Sequence, residues 1–177
     1  VFNDVAVASN LLLARGQATQ ILTVDLDVHQ GNGTAHLMAN EPRVFTFSMH
    51  GAKNYPFRKQ ASDLDIDLPN ETGDEAYLAI LMDTLPRLIA KVKPDMLFYQ
   101  SAVDVLATDK LGKLALTRDG CAKRDAFVFS QAKAHGIPVA VVMGGGYSEN
   151  IDDVVEAHCN TFRMAKKLYE CCLLYTS

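Results

Sequence analysis

The stretch that decides the fold is residues 21–33, which reads ILTVDLDVHQGNG. Residues 21–26 are a nearly continuous run of β-branched and apolar side chains, typical of a strand buried on both faces of a parallel sheet. Asp25, Asp27 and His29 then alternate along an extended chain, so their side chains project together where the strand ends. Two carboxylates and an imidazole that converge there repel one another or lack partners unless a cation joins them. The spacing alone leaves two interpretations open, a metal site and a capped strand end with solvated acids.

Outward from this stretch, strands and helices alternate along the chain. Further strands are predicted at residues 43–50, 64–68, 96–100 and 138–143, with residues 64–68 forming a short edge strand. Helices are predicted at residues 1–15, 34–39 and 117–134, from a capping-box pattern at residues 72–75 to Ile89, and after Ser148 or Asn150. Pro86 allows a kink in the predicted helix that begins at residues 72–75. The alternation predicts an α/β fold with a mainly parallel sheet, in which ligands bind beyond the carboxyl ends of the strands.

The composition is that of an ordinary soluble globular domain. The 177 residues are 49% hydrophobic and 21% charged, and this length fits one domain. A formal net charge of -4 gives no basic field for nucleic acid, and no apolar run is long enough to cross a membrane. The spacing of the four cysteines fits neither a disulfide framework nor a cysteine zinc site. We therefore expect a cytoplasmic protein in a reducing compartment, without direct nucleic-acid or membrane partners.

Two more segments with chemical potential follow predicted strands. Asp104 comes just after the third buried strand, where a lone acid is usually a helix cap or a turn residue. It gains weight as a ligand only if it meets Asp27 and His29 in space. Three glycines at residues 144–146 precede Tyr147. By itself, this run of glycines indicates close backbone approach or a phosphate-binding loop. The sequence has no GxGxxG or GxxxxGKS/T pattern, so a nucleotide site lacks its usual motif.

Together these pieces resemble the zinc-dependent histone deacetylase family, including its bacterial relatives and the acetylpolyamine amidohydrolases. Four blocks keep the family's order: Asp-x-Asp-x-His-x-Gly-x-Gly at residues 25–33, Leu-Pro-x-x-Thr-Gly-Asp at residues 68–74, Asp104 with Asp109 and Leu111-Gly112, and Gly-Gly-Gly-Tyr at residues 144–147. The resemblance implies a three-layer arginase/deacetylase-type α/β fold. Its central sheet would be mainly parallel and incomplete on the N-terminal side.

The resemblance also implies a catalytic centre. Asp27, His29 and Asp104 would be the zinc ligands, and Tyr147 would polarise the carbonyl of the substrate. The substrate would be an acetylated lysine, as in histones, or an acetylated small amine such as an acetylpolyamine. The choice among these substrates, and the oligomeric state, stay open.

Two further groups of residues would surround that centre. The first would support it and hold a monovalent cation, potassium, and comprises Asp25, Ser48 and Met49. The second would line the substrate tunnel and comprises Tyr55, Phe57, Gly145 and Gly146. For the two aromatic residues, a role as ordinary loop anchors is an equally good interpretation.

The resemblance finally predicts how the chain relates to a whole deacetylase. Residues 1–170 correspond to the C-terminal portion of a single deacetylase domain. Residues 171–177 are interpreted as a non-native tail, because residues 172–177 match a translated sequencing adaptor. The family's general base is a pair of adjacent histidines upstream of the segment that matches Val1. We therefore expect this fragment to be inactive, although its intact parent would be a zinc amidohydrolase.

Three other functions fit parts of the pattern. An arginase-like manganese ureohydrolase shares the fold but carries further metal-binding acids, and the Gly-Gly-Gly-Tyr block argues against it. A non-catalytic binding protein that retains the deacetylase fold would bind partners without turnover. A nucleotide-binding domain would need phosphate-loop chemistry that this sequence does not show.

Overall fold

A computed structural model of the protein describes residues 2–170. The predicted tail at residues 171–177 lies outside the described residues. In chain order the elements are α1 (Asp4–Ala14), β1 (Ile21–Asp25), α2 (Asn32–Met38), β2 (Val44–Gly51), β3 (Leu64–Leu68), α3 (Asp74–Val92), β4 (Met96–Ala102), α4 (Arg118–Ala134), β5 (Val139–Gly144) and α5 (Ile151–Tyr169). All five strands begin and end within two residues of their predicted bounds.

The five strands form one parallel sheet in the order β3-β2-β1-β4-β5. The chain moves outward from β1 to β2 and β3, then returns to the other side of β1 to form β4 and β5. The strand order therefore reverses between β1 and β4, and the carboxyl ends of these two strands border a crevice of the kind in which α/β sheets bind ligands. In register, Asp25 at the end of β1 lies between Ser48 of β2 and Gln100 of β4.

Helices cover both faces of the sheet. α3, α4 and α5 pack on one face around the larger core, to which β1 contributes Leu22 and β4 contributes Tyr99. α1 packs on the other face through Leu13, against Ile21 of β1 and Phe98 of β4. Because β1 is buried on both faces, apolar residues occur at both its odd and its even positions. The predicted three-layer α/β fold with a parallel central sheet is confirmed.

The predicted capping box at the start of α3 is wrong. Gly73 is the N-terminal cap and makes no side-chain cap hydrogen bond, while the Thr72 hydroxyl donates to the carbonyl of Pro69 at 2.7 Å. The Asp74 carboxylate accepts instead from the backbone N–H and the hydroxyl of Thr117, at 2.8 and 2.6 Å. Thr117 is itself the cap of α4. The acidic first turn of α3 thus joins the starts of two helices, a long-range pairing that the local pattern does not contain.

Pro86 lies inside α3 without ending it. A proline in a helix interior removes one backbone hydrogen bond and crowds the preceding turn. Leu81, Leu85 and Leu88 are buried on either side of it. Their packing against the sheet offsets the missing bond, so the helix continues to Val92.

A charged pair lies in the core beneath the carboxyl end of β4. Arg124 and Asp125 are both fully buried, with the Arg124 Nε 2.9 Å from the Asp125 Oδ1. Arg124 donates to the carbonyl of Ala102 at 2.7 Å. Asp125 accepts from the hydroxyls of Tyr99 at 2.5 Å and Thr161 at 2.6 Å. This network ties α4 and α5 to the strand that leads to Asp104, and nothing in the sequence pattern of α4 marked it.

No helix within residues 2–170 is long and apolar enough to cross a membrane. In the same part of the chain, Cys121 and Cys159 are free thiols, and Cys121 is buried in the larger core.

The α3–sheet contact is tested by two neighbouring residues. Leu81 is fully buried, whereas the next residue, Met82, is 45% exposed. We expect Leu81→Ala to lower the free energy of unfolding by about 2–5 kcal/mol, because it removes buried methyl groups and leaves a cavity. Met82→Ala, measured in parallel by urea denaturation, should change it by less than about 1 kcal/mol. Equal effects of the two substitutions would contradict the placement of α3.

Candidate metal centre

The polar residues that follow β1 and β4 meet at the crevice where the strand order reverses. The His29 Nδ1 lies 3.0 Å from the Asp27 Oδ1 and 3.2 Å from the Asp104 Oδ2. One candidate ligand atom from each of the three residues lies within 4.8 Å of the others. Asp104 is thus brought to Asp27 and His29 from a separate strand, which was the condition for treating it as more than a turn residue.

The backbone around these three side chains is folded to hold them. The backbone N–H of His29 donates to the Asp27 Oδ1 at 2.8 Å, and the N–H of Asp27 donates to the Asp25 Oδ1 at 3.1 Å. The N–H of Val28 donates to the Asp104 Oδ1 at 3.0 Å. Aspartate side chains commonly bond to backbone two residues ahead in this way. The second carboxylate oxygen of Asp104 remains directed at His29.

Burial and neighbouring groups shift the pKa values of these side chains. Hydrogen bonds with Asp104 and Asp27 raise the pKa of the His29 imidazole to about 10. Burial, reinforced by the charge of Asp27, raises the pKa of Asp25 to about 8. Burial also raises the pKa of Asp104 above its usual value. Proton binding therefore stabilises the metal-free site, because close carboxylates share a small, poorly hydrated space.

The donor set fits a divalent metal ion. Two carboxylate oxygens and one imidazole nitrogen are ligands that zinc accepts at about 2.0–2.2 Å. Three protein ligands leave a further coordination position open, as in catalytic rather than structural zinc sites. Asp104 is only 1% exposed, which disfavours a role as a solvated acid. A cation at this point would satisfy the same charges that a proton satisfies in its absence.

The glycines after β5 reach the same site. Gly145 has a φ of +66°, and a Cβ at this position would overlap the Asp104 carboxylate. Glycine is therefore required twice, for its backbone conformation and for the close approach. Gly146 packs instead against Val103 and Val154. Tyr147 follows on the turn, half exposed, with its backbone N–H donating to the Asp109 Oδ2 at 2.6 Å.

A cleft of about 310 Å³ is lined by two of the three candidate ligands. Its lining includes Asp25, Asp27 and His29 together with Gln100 of β4 and residues 3–5 of the N-terminal segment. The cleft therefore gives access to the Asp27 and His29 side from the direction of α1.

Two of the predicted cation-site residues, Asp25 and Ser48, lie beside the turn that carries the candidate ligands Asp27 and His29. Ser48 is buried opposite Asp25 in the β1–β2 register, and its hydroxyl accepts from the backbone N–H of Gly31 at 3.3 Å. The same hydroxyl lies 2.9 Å from the Nδ1 of the buried His50. Met49 is fully buried in the larger core. Their role in binding potassium stays a prediction.

The predicted tunnel aromatics lie on an exposed loop after β2. Tyr55 is 62% exposed and Phe57 is 91% exposed. Their rings pack edge to face, with 6.2 Å between centroids. Among the described residues, neither lines the cleft beside the ligands. Their place in a substrate tunnel stays a prediction.

Gln30 is a residue that the sequence analysis missed. It is buried directly after His29, and its amide nitrogen donates to the carbonyl of Gln60 at 2.6 Å and to Asp65 at 2.8 Å. Its amide oxygen accepts from the backbone N–H of Gln60 at 2.9 Å. Gln30 thus fastens the loop that carries Tyr55 to the ligand-bearing turn. Its partners lie about 30 residues away along the chain, so no local signal identified them.

Comparison with known proteins assigns this arrangement to a family. The family model described as "Histone deacetylase domain" matches residues 1–162. The chain belongs to the histone deacetylase family. An uncharacterized protein of Picosynechococcus sp. is 48% identical over 169 residues, which cover 96% of this chain and 56% of that protein. Histone deacetylase 2 of Arabidopsis thaliana is 29% identical over 157 residues, which cover 87% of this chain and 41% of that protein.

Solved structures show the same deacetylase fold at lower identity. An acetylpolyamine aminohydrolase from Burkholderia pseudomallei matches with a TM-score of 0.79 and 22% identity, over 94% of this chain and 50% of that one. The histone deacetylase Clr3 matches with a TM-score of 0.78 and 22% identity, over 94% of this chain and 30% of that one. The chain spans about half the length of the curated relatives named above.

The raised pKa values predict how pH changes the stability of the metal-free chain. The pKa of His29 rises from 6.5 to about 10, and that of Asp25 from 3.8 to about 8, so the folded state binds more protons than the unfolded state. The His29 contribution is complete below pH 6.5 and is lost as the pH rises toward 10. The Asp25 contribution is lost between pH 3.8 and about 8, in the same direction.

We therefore expect the free energy of unfolding, measured by urea denaturation with a chelator present, to fall as the pH is raised from 6.5 to 10. His29→Gln should flatten the part of this dependence above pH 8, where Asp25 no longer contributes. An unchanged slope above pH 8 in His29→Gln would refute the assignment of the alkaline transition to His29.

Proposed function

We propose that this chain carries the zinc site of a deacetylase that hydrolyses an acetamide to acetate and a free amine. The observation that supports the proposal most directly is the meeting of the His29 Nδ1 with carboxylate oxygens of Asp27 and Asp104 at 3.0 and 3.2 Å. Asp27, His29 and Asp104 would hold the ion. Bound Zn²⁺ supplies Lewis acidity, which acidifies water and polarises an amide carbonyl.

The residues around the ion would divide the remaining tasks. The Tyr147 hydroxyl would donate a hydrogen bond to the carbonyl oxygen of the substrate as negative charge develops on it. Asp27 would hold the backbone of His29 through the bond at 2.8 Å, so that Nδ1 faces the ion. Asp25 and Ser48, adjacent in the sheet, would support this turn and hold a potassium ion with Met49.

A general base must take a proton from water and deliver one to the leaving amine. Among the described residues, His29 is the one histidine that lines the cleft. His36 lies on α2, His50 on β2, His135 at the end of α4 and His158 on α5. We therefore infer that the family's paired histidines are needed from outside this chain, and that the chain alone turns over poorly.

The substrate would be an acetylated lysine or an acetylated small amine. Relatives bear the names histone deacetylase and acetylpolyamine aminohydrolase, which supports both classes. The Tyr55–Phe57 loop and Gly145 and Gly146 would border the path of the acyl chain. We expect a cytoplasmic location and no direct nucleic-acid or membrane partner.

A non-catalytic binding protein with the same fold is the second candidate. Two observations favour it. The three candidate ligands are all present, and the described residues that line the cleft include no pair of histidines. Turnover of acetyl-lysine by the protein encoded by the whole gene separates the two candidates. An arginase-like manganese enzyme is disfavoured by the family match over residues 1–162.

Metal content tests the ligand assignment without any assay of activity. Asp27→Ala and Asp104→Asn should each lower the zinc affinity by at least about tenfold, because each removes a charged ligand. Asp83→Asn is the matched control, since Asp83 is an exposed acid of α3 outside the site. Zinc would be measured by mass spectrometry after dialysis, with folding checked by circular dichroism. Full zinc retention in folded Asp27→Ala would reject the site.

The role of Tyr147 is tested in the protein encoded by the whole gene. We expect Tyr147→Phe to retain zinc and to lower kcat on an acetyl-lysine peptide by about 10²–10³-fold, the usual loss for one such donor. Full activity with zinc bound would rule out the role of the hydroxyl.

A further inference from the structure

The loops that follow β4 and β5 are joined outside the candidate metal centre. The Thr108 Oγ1 lies 2.9 Å from the Ser148 Oγ, and Asp109 and Ser148 form an isolated antiparallel bridge. The Lys110 Nζ lies 3.3 Å from the Glu149 Oε1. We refer to these two short segments, residues 108–110 and 147–149, as the clasp.

The carboxylate of Asp109 is the centre of the clasp. Its Oδ1 accepts from the backbone N–H groups of Leu111 at 2.8 Å and Gly112 at 2.7 Å. Its Oδ2 accepts from the backbone N–H of Tyr147 at 2.6 Å. Hydrogen bonds to an ionised acceptor are shorter and stronger than those between neutral groups. One side chain therefore fixes its own turn with one oxygen and the backbone of Tyr147 with the other.

The turn that Asp109 closes is packed against a candidate metal ligand. A Cβ at Gly112 would overlap the backbone carbonyl of Asp104. The turn therefore lies directly on the Asp104 segment. Asp109 thus connects the backbone that presents Asp104 with the backbone that presents Tyr147.

Tyr147 needs such an anchor because its own side chain is only partly restrained. It follows Gly145 and Gly146, whose φ angles are +66° and +107°, so the preceding backbone has wide conformational freedom when isolated. Its side chain is 51% exposed, and burial therefore restricts the ring only in part. A fixed backbone N–H determines the position of the Tyr147 backbone, from which the side chain with its phenol extends.

We propose that Asp109 is a positioning residue for Tyr147, which holds the tyrosine backbone at a set place relative to Asp104. This inference rests on the proposed role of Tyr147 in catalysis. Asp109 acts through Tyr147 and does not contact the substrate. Displacing a catalytic group by about 1 Å costs on the order of 10²-fold in rate, so the carboxylate has a measurable effect on turnover.

The test compares Asp109→Asn with Thr108→Val. The amide introduced by Asp109→Asn is uncharged and keeps one oxygen for the Leu111 and Gly112 N–H groups, but its NH₂ group cannot accept from Tyr147. Thr108→Val removes a neighbouring hydroxyl contact of the clasp and leaves the carboxylate intact. Both variants are made in the chain labelled with 3-fluorotyrosine and loaded with zinc, and in the protein encoded by the whole gene.

The spectroscopic readout does not depend on turnover. The ¹⁹F resonance of Tyr147 is assigned by its loss in Tyr147→Phe. Asp109→Asn is expected to shift or broaden that resonance and to leave those of the other tyrosines and the zinc content unchanged. Thr108→Val is expected to leave the Tyr147 resonance in place. An unmoved Tyr147 resonance in Asp109→Asn overturns the proposal. Changes at all tyrosines with a collapsed Tm also overturn it, since Asp109 would then serve the fold as a whole.

The kinetic readout uses a double-mutant cycle. Asp109→Asn is expected to lower kcat by on the order of 10²-fold with KM little changed, while Thr108→Val stays near wild type. Combining Asp109→Asn with Tyr147→Phe should lower kcat no further than Tyr147→Phe alone, because Asp109 acts through the tyrosine. Additive losses contradict the proposal. Absence of turnover in the wild-type protein counts against the proposed function and leaves the ¹⁹F result to decide the role of Asp109.

Discussion

The structure depends on holding two carboxylates and an imidazole together in a poorly hydrated crevice. Each group alone would lose hydration there without compensation. Together they exchange hydrogen bonds, with the His29 Nδ1 at 3.0 Å from Asp27 and 3.2 Å from Asp104. The strand order makes this possible, because β1 and β4 are neighbours in the sheet although α2, β2, β3 and α3 separate them along the chain. The site is thus a consequence of the crossover that follows β3.

A second set of buried charges, in the core beneath the carboxyl end of β4, holds the strand that leads to Asp104. Arg124 and Asp125 are bonded to one another and to Tyr99 and Ala102 of β4. Buried ion pairs contribute little net stability compared with apolar packing, but breaking one is costly because a charge is left unpaired. The network therefore makes displacement of the strand end expensive. The candidate ligand Asp104, two residues after the end of β4, gains a rigid base in this way.

Much of the fold could be predicted because buried strands and helices show a local pattern of hydrophobic residues in the sequence. β1 is apolar on both faces, so its run of hydrophobic residues was visible, and the alternation of Asp25, Asp27 and His29 followed from extended geometry. The meeting of Asp104 with these residues was expected from the parallel sheet and from the resemblance to deacetylases. The capping box at residues 72–75 failed because the Asp74 carboxylate bonds to Thr117 on another helix. Each of Gln30, Arg124 and Asp109 has a bond to a residue more than 20 positions away in the chain, and such a distant partner leaves no periodic signal near the residue itself.

The two halves of the proposed centre are stabilised by different means. The ligands lie on a turn and a strand end that backbone N–H groups fix from within the crevice, as Val28 does for Asp104 at 3.0 Å. Tyr147 stands outside that crevice, on a glycine turn whose conformational freedom must be restricted by contacts with another loop. Under the proposed function, metal binding would require the first half, whereas turnover would require both halves in register. Substitution of Asp109 is therefore expected to separate the two properties, since it changes the position of the phenol without removing a candidate ligand.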